Sequence, residues 1–363
     1  MSLILPAMSR ERSAPGYVVN VVCGPELGDR LPIWREFVLR DSATPLSMRP
    51  DWLKVVQQGL RHIPFGIEVV ADGRLLGFLP LALIKSWLFG RFLVSMPFLN
   101  YGGPIADSDL AEQLLLDRAA QLADEQRVRF LEVRATKDFS HFALPNRLST
   151  KMHMRLALPS KGEVLWKQLD AKVRNQIRKG QKGEFSVAWG GVELLPDFYQ
   201  VFARNMRDLG TPVYGRPLFR AILETFPDAA EFCVVHLRRQ VVASALLLHG
   251  REITEVPCAS SLREFNSTNA NMLMYWHLLQ RGIERRQSVF DFGRSTVDSN
   301  TYRFKKQWGA TPTPAVWQYY LRTGDLGQMR PENRRFDLMK RAWQRLPLSM
   351  AGLLGPKIVR GIP

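Results

Sequence analysis

The chain has 363 residues, 46% of them hydrophobic and 23% charged, a profile of a folded globular protein that excludes a disordered or fibrous chain. Fifty Lys and Arg against 34 Asp and Glu give a formal net charge of +16, which favours polyanionic partners: nucleic acid, a phosphorylated cofactor, an acidic glycan or anionic lipid. Cys23, Cys233 and Cys258 are far apart, form no CxxC and share no ligand spacing with His, so no disulfide framework and no metal site are expected, and a reducing cytoplasm fits best.

The first residues, "MSLILPAMSRERSAPG", put a short apolar patch ahead of the charges, the reverse of a secretory signal. Residues 1–30 therefore read as an N-terminal extension. Helical spacing follows over residues 34–58. At 66–86, "GIEVVADGRLLGFLPLALIKS" is an apolar run, a polar turn at Asp72-Gly73-Arg74 and a longer apolar run, which predicts an antiparallel hairpin. The most apolar region, 75–99, is broken by Pro80, Lys85, Gly90, Arg91 and Pro97. A spanning helix needs ~20 mostly apolar residues, so these are read as buried strands. A third strand near 92–97, an amphipathic helix carrying Ala111, Leu115, Ala119 and Leu122, and the strand "RFLEVRA" complete this unit.

Over 163–179 one helix is predicted. Trp166, Leu169, Val173 and Ile177 form its apolar stripe, Lys167, Arg174 and Arg178 lie on a neighbouring face, and Gly180 ends it. Helices over 198–207 and 217–226 precede a second hairpin, "EFCVVHLRRQVVASALLLHG", turning at Arg238-Arg239-Gln240. The strand "REITEVPCASS", a helix carrying Met272, Trp276, Leu279 and Ile283, and the strand "SVFDFG" follow. The same strand-strand-strand-helix-strand order used twice argues a duplicated α/β domain.

The window at 290–310, "FDFGRSTVDSNTYRFKKQWGA", holds two Asp, two Arg, two Lys, two Gly and five aromatic rings. Its opening Asp-Phe-Gly also stands in protein kinases, but the Gly-rich loop, strand lysine and catalytic-loop Asp and Asn do not precede it in order. The strand is predicted to end near Gly293. A polar loop, a short helix over 302–307 and a final strand near "PAVWQYYL" come next. Phe292, Phe304, Trp308 and Trp317 are assigned to the core.

Helices followed by this repeated order resemble the acyltransferase fold of the GNAT superfamily, and the duplication resembles the Fem-type peptidyltransferases. Specific likeness lies in "KVRNQIRKGQKGEFSV" (172–187) and "TYRFKKQWGA" (301–310). With "MRDLGTPVY", "NMLMYW", "FDFGRST" and "FKKQWGA", the chain resembles the FemAB-related proteins associated with PEP-CTERM and exosortase exopolysaccharide systems, from about residue 34 to the final "LGPKIVRGIP". The resemblance implies an α/β (α+β) chain of two tandem GNAT-like acyltransferase domains, each a mixed, mostly antiparallel sheet flanked by helices. These are placed at 31–155 and 156–325, the second carrying the transfer site, with a basic amphipathic tail at 326–363. In such a fold the sheet splays open between its fourth and fifth strands and holds an acyl donor in the gap.

The resemblance also implies roles. Lys305 would stabilise charge during transfer; Arg294, Ser295, Tyr302 and Lys305 would line the acyl site beside the fifth strand. Glu255, mid-strand in "EITEVPC", is a candidate base, or else pairs with a nearby Arg. Asp291 is a site candidate, or else caps a turn or pairs with a local Arg. Arg174 and Arg178 are candidates for bidentate phosphate contacts, or else a solvated helix face. Tyr101 in "LNYGGPI" marks the acceptor position in the first domain, or a tight turn that needs Gly.

The expected function is a Fem-like acyl or aminoacyl transferase acting on a cell-envelope or exopolysaccharide precursor. No cofactor is expected to be permanently bound, and the donor is aminoacyl-tRNA or an acyl-CoA or acyl-carrier thioester. Two alternatives stand. One is a non-catalytic GNAT-like module that binds polyanions and serves polysaccharide or protein export. The other is an acetyl-CoA-dependent N-acetyltransferase, disfavoured because the Arg/Gln-x-x-Gly-x-Gly/Ala pyrophosphate turn is missing from "SSLREFNSTNANM" (260–272). Partners would be a polyanionic donor, a glycan or envelope precursor, and an anionic membrane surface touched by the tail. Localisation is expected to be cytoplasmic, at the inner face of the membrane where it is peripheral.

Overall fold

The computed structural model describes residues 9–14, 16–135, 137–148, 150–324 and 334–363. The first half runs β1 (Ser9–Ala14), β2 (Tyr17–Cys23), α1 (Leu27–Val38), α2 (Trp52–Leu60), β3 (Ile63–Ala71), β4 (Arg74–Ser86), β5 (Gly90–Val94), β6 (Ile105–Ala106), α3 (Asp109–Glu125), β7 (Phe130–Ala135) and β8 (Asn146–Leu148). The second runs β9 (Lys151–Ala157), α4 (Gly162–Gln168), α5 (Ala171–Gln181), β10 (Phe185–Gly190), α6 (Leu195–Asp208), α7 (Arg216–Thr225), β11 (Ala230–Leu237), β12 (Gln240–His249), β13 (Ile253–Ser261), α8 (Ala270–Glu284), β14 (Val289–Thr296), α9 (Asn300–Lys306), β15 (Thr311–Pro314), β16 (Val316–Leu321), α10 (Arg334–Gln344) and α11 (Leu348–Val359).

Two mixed sheets result. One has the order β1-β2-β3-β4-β5-β7-β16-β8, with β6 on β4; the other is β10-β11-β12-β13-β14-β9-β15. Both predicted hairpins form, as β3–β4 and β11–β12. Buried alternating and continuous apolar runs explain them: β12 is almost wholly buried, and such a strand reads as Val, Ala and Leu without polar breaks. The tandem GNAT-like architecture is present, each sheet flanked by helices.

The sheets exchange strands across the chain midpoint, which corrects the expected boundaries. The division at 155/156 falls inside β9, and β9 pairs with β14 and β15 in the second sheet. Conversely β16, expected as the last strand of the second domain, pairs with β7 and β8 in the first sheet. Nor do residues 17–30 stand outside the first sheet's unit. Over Tyr17–Cys23, β2 pairs with β3 in unbroken register from Tyr17↔Ala71 to Cys23↔Phe65, because its apolar residues bury Val19, Val21 and Val22.

The halves also share a core. Trp34, Trp52 and Phe78 of the first half pack in one cluster with Phe198, Phe219 and Phe232 of the second. Helices α2 and α7 meet at Gly59, where a Cβ would lie 2.8 Å from the Leu218 Cα, so only a residue without a side chain permits the approach.

The helix expected over 163–179 is two helices, α4 and α5, broken at Leu169 and Asp170; both have extended ψ. The C-terminal region forms α10 and α11. Pro347 separates them, while Pro356 sits inside α11. A Cβ on Gly355 of α11 would sit 2.9 Å from Val213 N, and one on Gly210 would sit 3.0 Å from Lys340 of α10, so both helices dock on the segment after α6. No helix among the described residues is long and apolar enough to cross a membrane.

Candidate active site

Strands β13 and β14 run parallel and pair only at Ile253↔Val289, Thr254↔Phe290 and Glu255↔Asp291. Both continue beyond that rung, β13 to Ser261 and β14 to Thr296, without further pairing. The sheet therefore splays open at Glu255 and Asp291, which share a face because partnered residues in a parallel ladder point the same way. The first sheet repeats the device. Its parallel strands β5 and β7 pair at Phe92↔Phe130, Leu93↔Leu131 and Val94↔Glu132, then part. An acidic residue stands at each fork, and each is answered by a neighbouring strand: Tyr319 of β16 donates to Glu132 Oε2 at 2.8 Å, and Arg155 of β9 to Asp291 Oδ2 at 2.9 Å.

Asp291 is buried and fully engaged. Its Oδ2 also accepts from the Tyr101 hydroxyl at 2.5 Å, and its Oδ1 from the Gly293 amide at 2.7 Å. Gly293 has φ +75, a left-handed turn that Gly adopts without strain. The β14–β9 register shifts between Asp291 and Arg294. Thus Gly293 forms a bulge within β14 and does not end the strand, correcting that expectation. Its contacts combine a turn cap at Gly293 with an Arg pair at Arg155, the two alternatives to a site role.

Tyr101 comes from the loop after β5 and carries the first half into the fork. Its ring stacks on His153 with centroids 4.4 Å apart, and the Arg155 guanidinium lies 5.0 Å from its centroid. Burial, reinforced by Asp291, raises its pKa well above the usual phenol value, so it stays a donor. Beside it a Cβ on Gly293 would meet the Asn100 amide nitrogen at 3.1 Å.

Among the described residues Glu255 forms no ion pair with an Arg. Its two oxygens accept the Ser47 amide (2.9 Å) and hydroxyl (2.5 Å) from the first half, and burial pushes its pKa up to about 7 against those donors, with Asp291 raising it further. It is a strut between the halves as placed, which corrects the expected Arg partner.

Lys305 is the buried lysine of α9, and its neighbour Lys306 is exposed. The Ser299 side chain caps α9, fixing which face turns inward. Lys305 Nζ donates to the Arg294 carbonyl at 2.9 Å. Burial lowers its pKa to about 8; Asp291 opposes the shift and Arg294 adds to it. Arg294 lies with its guanidinium carbon 3.5 Å from the Trp317 ring centroid, while Arg134 lies 4.2 Å from the same ring. Burial first, then Arg134, lowers the Arg294 pKa to about 10. Among the described residues the Arg294 guanidinium has no carboxylate partner.

The remaining predicted residues divide. Ser295 pairs with Met152 while Arg294 pairs with His153, so Ser295 points to the opposite face; its buried Oγ has no partner there. Tyr302 is half-buried against the second core and lies 6.0 Å from Lys306 Nζ; no bond ties it to Lys305. Arg174 donates Nη1 to the Leu169 carbonyl at 2.5 Å and to that of Lys167 at 3.3 Å, capping α4. That contact uses one of its two terminal nitrogens. Arg178 is exposed, near Asn175 and over the Trp166 ring.

His153 was not singled out from sequence. It is 3% exposed and both ring nitrogens are buried without partners, and burial lowers its pKa to about 4. The one usable signal was a His between two Met in a strand-like run, "KMHMRLA", which reads as core. Among the described residues no group of three or more His, Cys, Asp or Glu is arranged to hold a metal.

Residues 167–306 match the sequence family described as an acetyltransferase (GNAT) domain. The chain is similar in structure to FemX, with TM-score 0.60 and 15% identity over 85% of this chain and 98% of that one. A tandem GNAT protein from the clavulanic acid biosynthesis pathway gives TM-score 0.55 and 11% identity, over 85% and 99%. A domain assigned as the C-terminal part of a lysylphosphatidylglycerol synthetase from Agrobacterium fabrum gives 0.55 and 12%, over 82% and 93%. No curated protein matches in sequence. The chain has a tandem GNAT-like fold, and the match to the GNAT domain family lies in its second half.

Proposed function

We propose that the chain is an acyl or aminoacyl transferase whose reaction takes place at the junction of the two halves, beside the fork of β13 and β14. The observation that carries this reading is the group of unspent polar side chains on one side of the fork. Among the described residues Lys305 has one carbonyl contact, Arg294 has no carboxylate, and His153 has two bare nitrogens. Buried polar groups in folded chains are nearly always satisfied, so an unsatisfied cluster beside a splayed GNAT sheet suits a bound anion or carbonyl.

In the proposed step an amine or hydroxyl of the acceptor attacks the carbonyl carbon of an ester or thioester. The amide or ester bond forms, the donor oxygen or sulfur departs with the bonding pair, and the proton lost by the nucleophile passes to it. Negative charge builds on the carbonyl oxygen, and the Lys305 ammonium, with Arg294 beside it, stabilises that charge in a site poor in water. Aminoacyl-tRNA or an acyl-CoA or acyl-carrier thioester is the donor class, and a cell-envelope or exopolysaccharide precursor the acceptor class. The neighbours FemX and the synthetase domain support aminoacyl transfer by likeness of fold.

A second reading, a polyanion-binding module without catalysis, is favoured by one observation: Glu255, the candidate base, is fully occupied by Ser47. Mass spectrometry of envelope and polysaccharide precursors separates the two. An acyl increment that disappears on gene deletion and on Lys305→Met supports the transferase. Precursors unchanged by deletion overturn it.

A further inference from the structure

The turn joining β4 to β5 is built from Trp87, Leu88 and Phe89. Hairpin turns ordinarily use Gly, Asn, Asp or Ser, yet here Trp87 is 96% exposed and Leu88 57%. Phe89 turns inward, half-buried against the small cluster of Phe92, Phe130 and Trp317. Its amide is held by the Ser86 hydroxyl at 3.1 Å. The tip is thus an ordered projection that presents two large apolar side chains to solvent.

The tip has a neighbour from the far end of the chain. A Cβ on Gly361 would lie 2.6 Å from Ser86 Oγ, so the residues following α11 pack against the base of the hairpin, with Ile362 exposed beside it. Helix α11 turns Ala351, Gly355 and Val359 inward. Its outer face carries Met350, Leu353, Leu354 and Lys357 at i, i+3, i+4 and i+7, and Leu353 is 66% exposed. From Val359, the last residue of α11, back to Leu353 is about 9 Å of helix. The base of the hairpin and the end of α11 therefore adjoin, and both elements present large apolar side chains to solvent, Trp87 and Leu88 on one and Leu353 and Leu354 on the other, the kind of exposure that marks an interaction surface.

Charge decides what covers it. Neither residues 74–106 nor residues 338–363 contain any Asp or Glu. Lys85, Arg91 and Arg129 flank the hairpin, Arg129 donating to the Phe89 carbonyl at 3.2 Å, and Lys357 and Arg360 are exposed on the C-terminal side. A second copy of the chain would bring the same positive charge against itself. An anionic bilayer brings the opposite charge together with an apolar interior, and Trp is the side chain best suited to the boundary between them.

We propose that the β4–β5 tip and the outer face of α11 form a docking surface for an anionic lipid bilayer, with Trp87 and Leu88 inserting and the surrounding Lys and Arg meeting lipid headgroups. The surface is independent of the chemistry at the fork: membrane binding can be present whether or not the chain transfers an acyl group.

The test uses the full chain in sedimentation with vesicles of phosphatidylcholine alone or mixed with phosphatidylglycerol. Binding is expected to the mixed vesicles, to weaken as salt rises, and to fall about ten-fold or more in Trp87→Ser/Leu88→Ser. Lys357→Glu should weaken it about five-fold. Phe142→Ser, at a similarly exposed aromatic elsewhere, should leave it unchanged, and thermal melting should be the same for all variants because these side chains are exposed. Quenching of Trp87 by brominated lipid, seen as the signal missing from the Trp87 variant, would place that ring in the bilayer. No pelleting with mixed vesicles at low salt overturns the proposal. So does binding unaltered in the double variant. Self-association in the absence of lipid, abolished by the double variant, would instead assign the face to a second copy and likewise overturn it.

Discussion

Lys305 and Arg294 are tied by a single 2.9 Å hydrogen bond from the lysine ammonium to the arginine's own carbonyl, so two cations are held side by side, and among the described residues neither has a carboxylate in ion-pair contact. Burial lowers both pKa values, that of Lys305 to about 8 with Arg294 adding to the shift, and that of Arg294 to about 10 with Arg134 adding to it. Such an arrangement stores electrostatic potential for an anion.

The first prediction follows. Lys305→Met should lower turnover about 100-fold, the scale of removing one oxyanion donor, and Lys306→Met should be mild because Lys306 is exposed. Since only the ammonium serves, the rate of wild type should fall as pH rises through about 8. Lys305→Arg, which stays charged, should move that limb upward if activity survives. Equal losses in the 305 and 306 variants, measured by steady-state kinetics, would remove the assignment.

Asp291 ties three parts of the chain: Tyr101 of the first half, Arg155 of β9 and the Gly293 bulge. Asp291→Asn keeps the shape but weakens the pair with Arg155. Because the Arg155 side chain is 33% exposed, the cost should be about 2–3 kcal/mol, below that of breaking a fully buried pair. Urea unfolding would measure it. A change below about 0.5 kcal/mol would mean that the link carries no stability.

Much of this was legible in the sequence, and the failures have physical reasons. The hairpins, the helices between them and the duplication follow from apolar runs and their period, since each element needs only its own residues to show its pattern. The strand exchange was not legible: β9 and β16 are typical strands, and nothing in "KMHMRLA" or "VWQYYL" says which of two similar sheets they join. At the site, Lys305 against Lys306 was resolved only by the capped geometry of α9. Arg174 and Arg178 look equivalent in sequence, yet one faces the free carbonyls where α4 breaks and the other faces solvent. His153 was missed because an isolated His among apolar residues gives no sign of whether its nitrogens find partners.

Arg174 and Arg178 should separate in experiment. Arg174→Ala uncovers the carbonyls of Leu169 and Lys167 and should destabilise the chain by about 1–2 kcal/mol. Arg178→Ala should leave stability nearly unchanged. If either binds a polyanion, Arg178 does, read as a weaker and less salt-dependent affinity for a tRNA probe. The reverse pattern, a stable Arg174 variant and an unstable Arg178 variant, would contradict the capping.

Glu255 supplies a pH signature. Its pKa is 4.5 unperturbed and about 7 when folded. Below pH 4.5 both states hold the proton. Between 4.5 and 7 the unfolded chain has lost it and the folded chain retains it, so stability falls as pH rises through that window. Above 7 both are ionised and the loss is complete, on the order of 3 kcal/mol from this group. Glu255→Gln should flatten the slope and be the more stable protein at pH 8, its amide oxygen accepting the Ser47 amide and its NH2 donating to the Ser47 hydroxyl. Thermal melts from pH 4 to 8 decide; an undiminished slope in the variant would assign it to other groups.

His153 gives the most direct test of the site, because its function and its packing pull in opposite directions. Its ring stacks on Tyr101 at 4.4 Å, a contact that a phenyl ring preserves. Its two nitrogens are buried without partners, and leaving buried polar atoms unpaired costs about 1–3 kcal/mol. His153→Phe removes that cost, so the variant should be as stable as wild type or more so. If the nitrogens serve only packing, activity should survive as well. If they hold the reacting groups at the fork, misplacing those groups should lower turnover about ten-fold or more in a protein that melts no earlier than wild type. Holding the ring neutral, with a pKa near 4, makes this dependence flat from pH 6 to 8, unlike the limb assigned to Lys305. A His153→Phe protein of full activity would leave the bare nitrogens without a role in transfer.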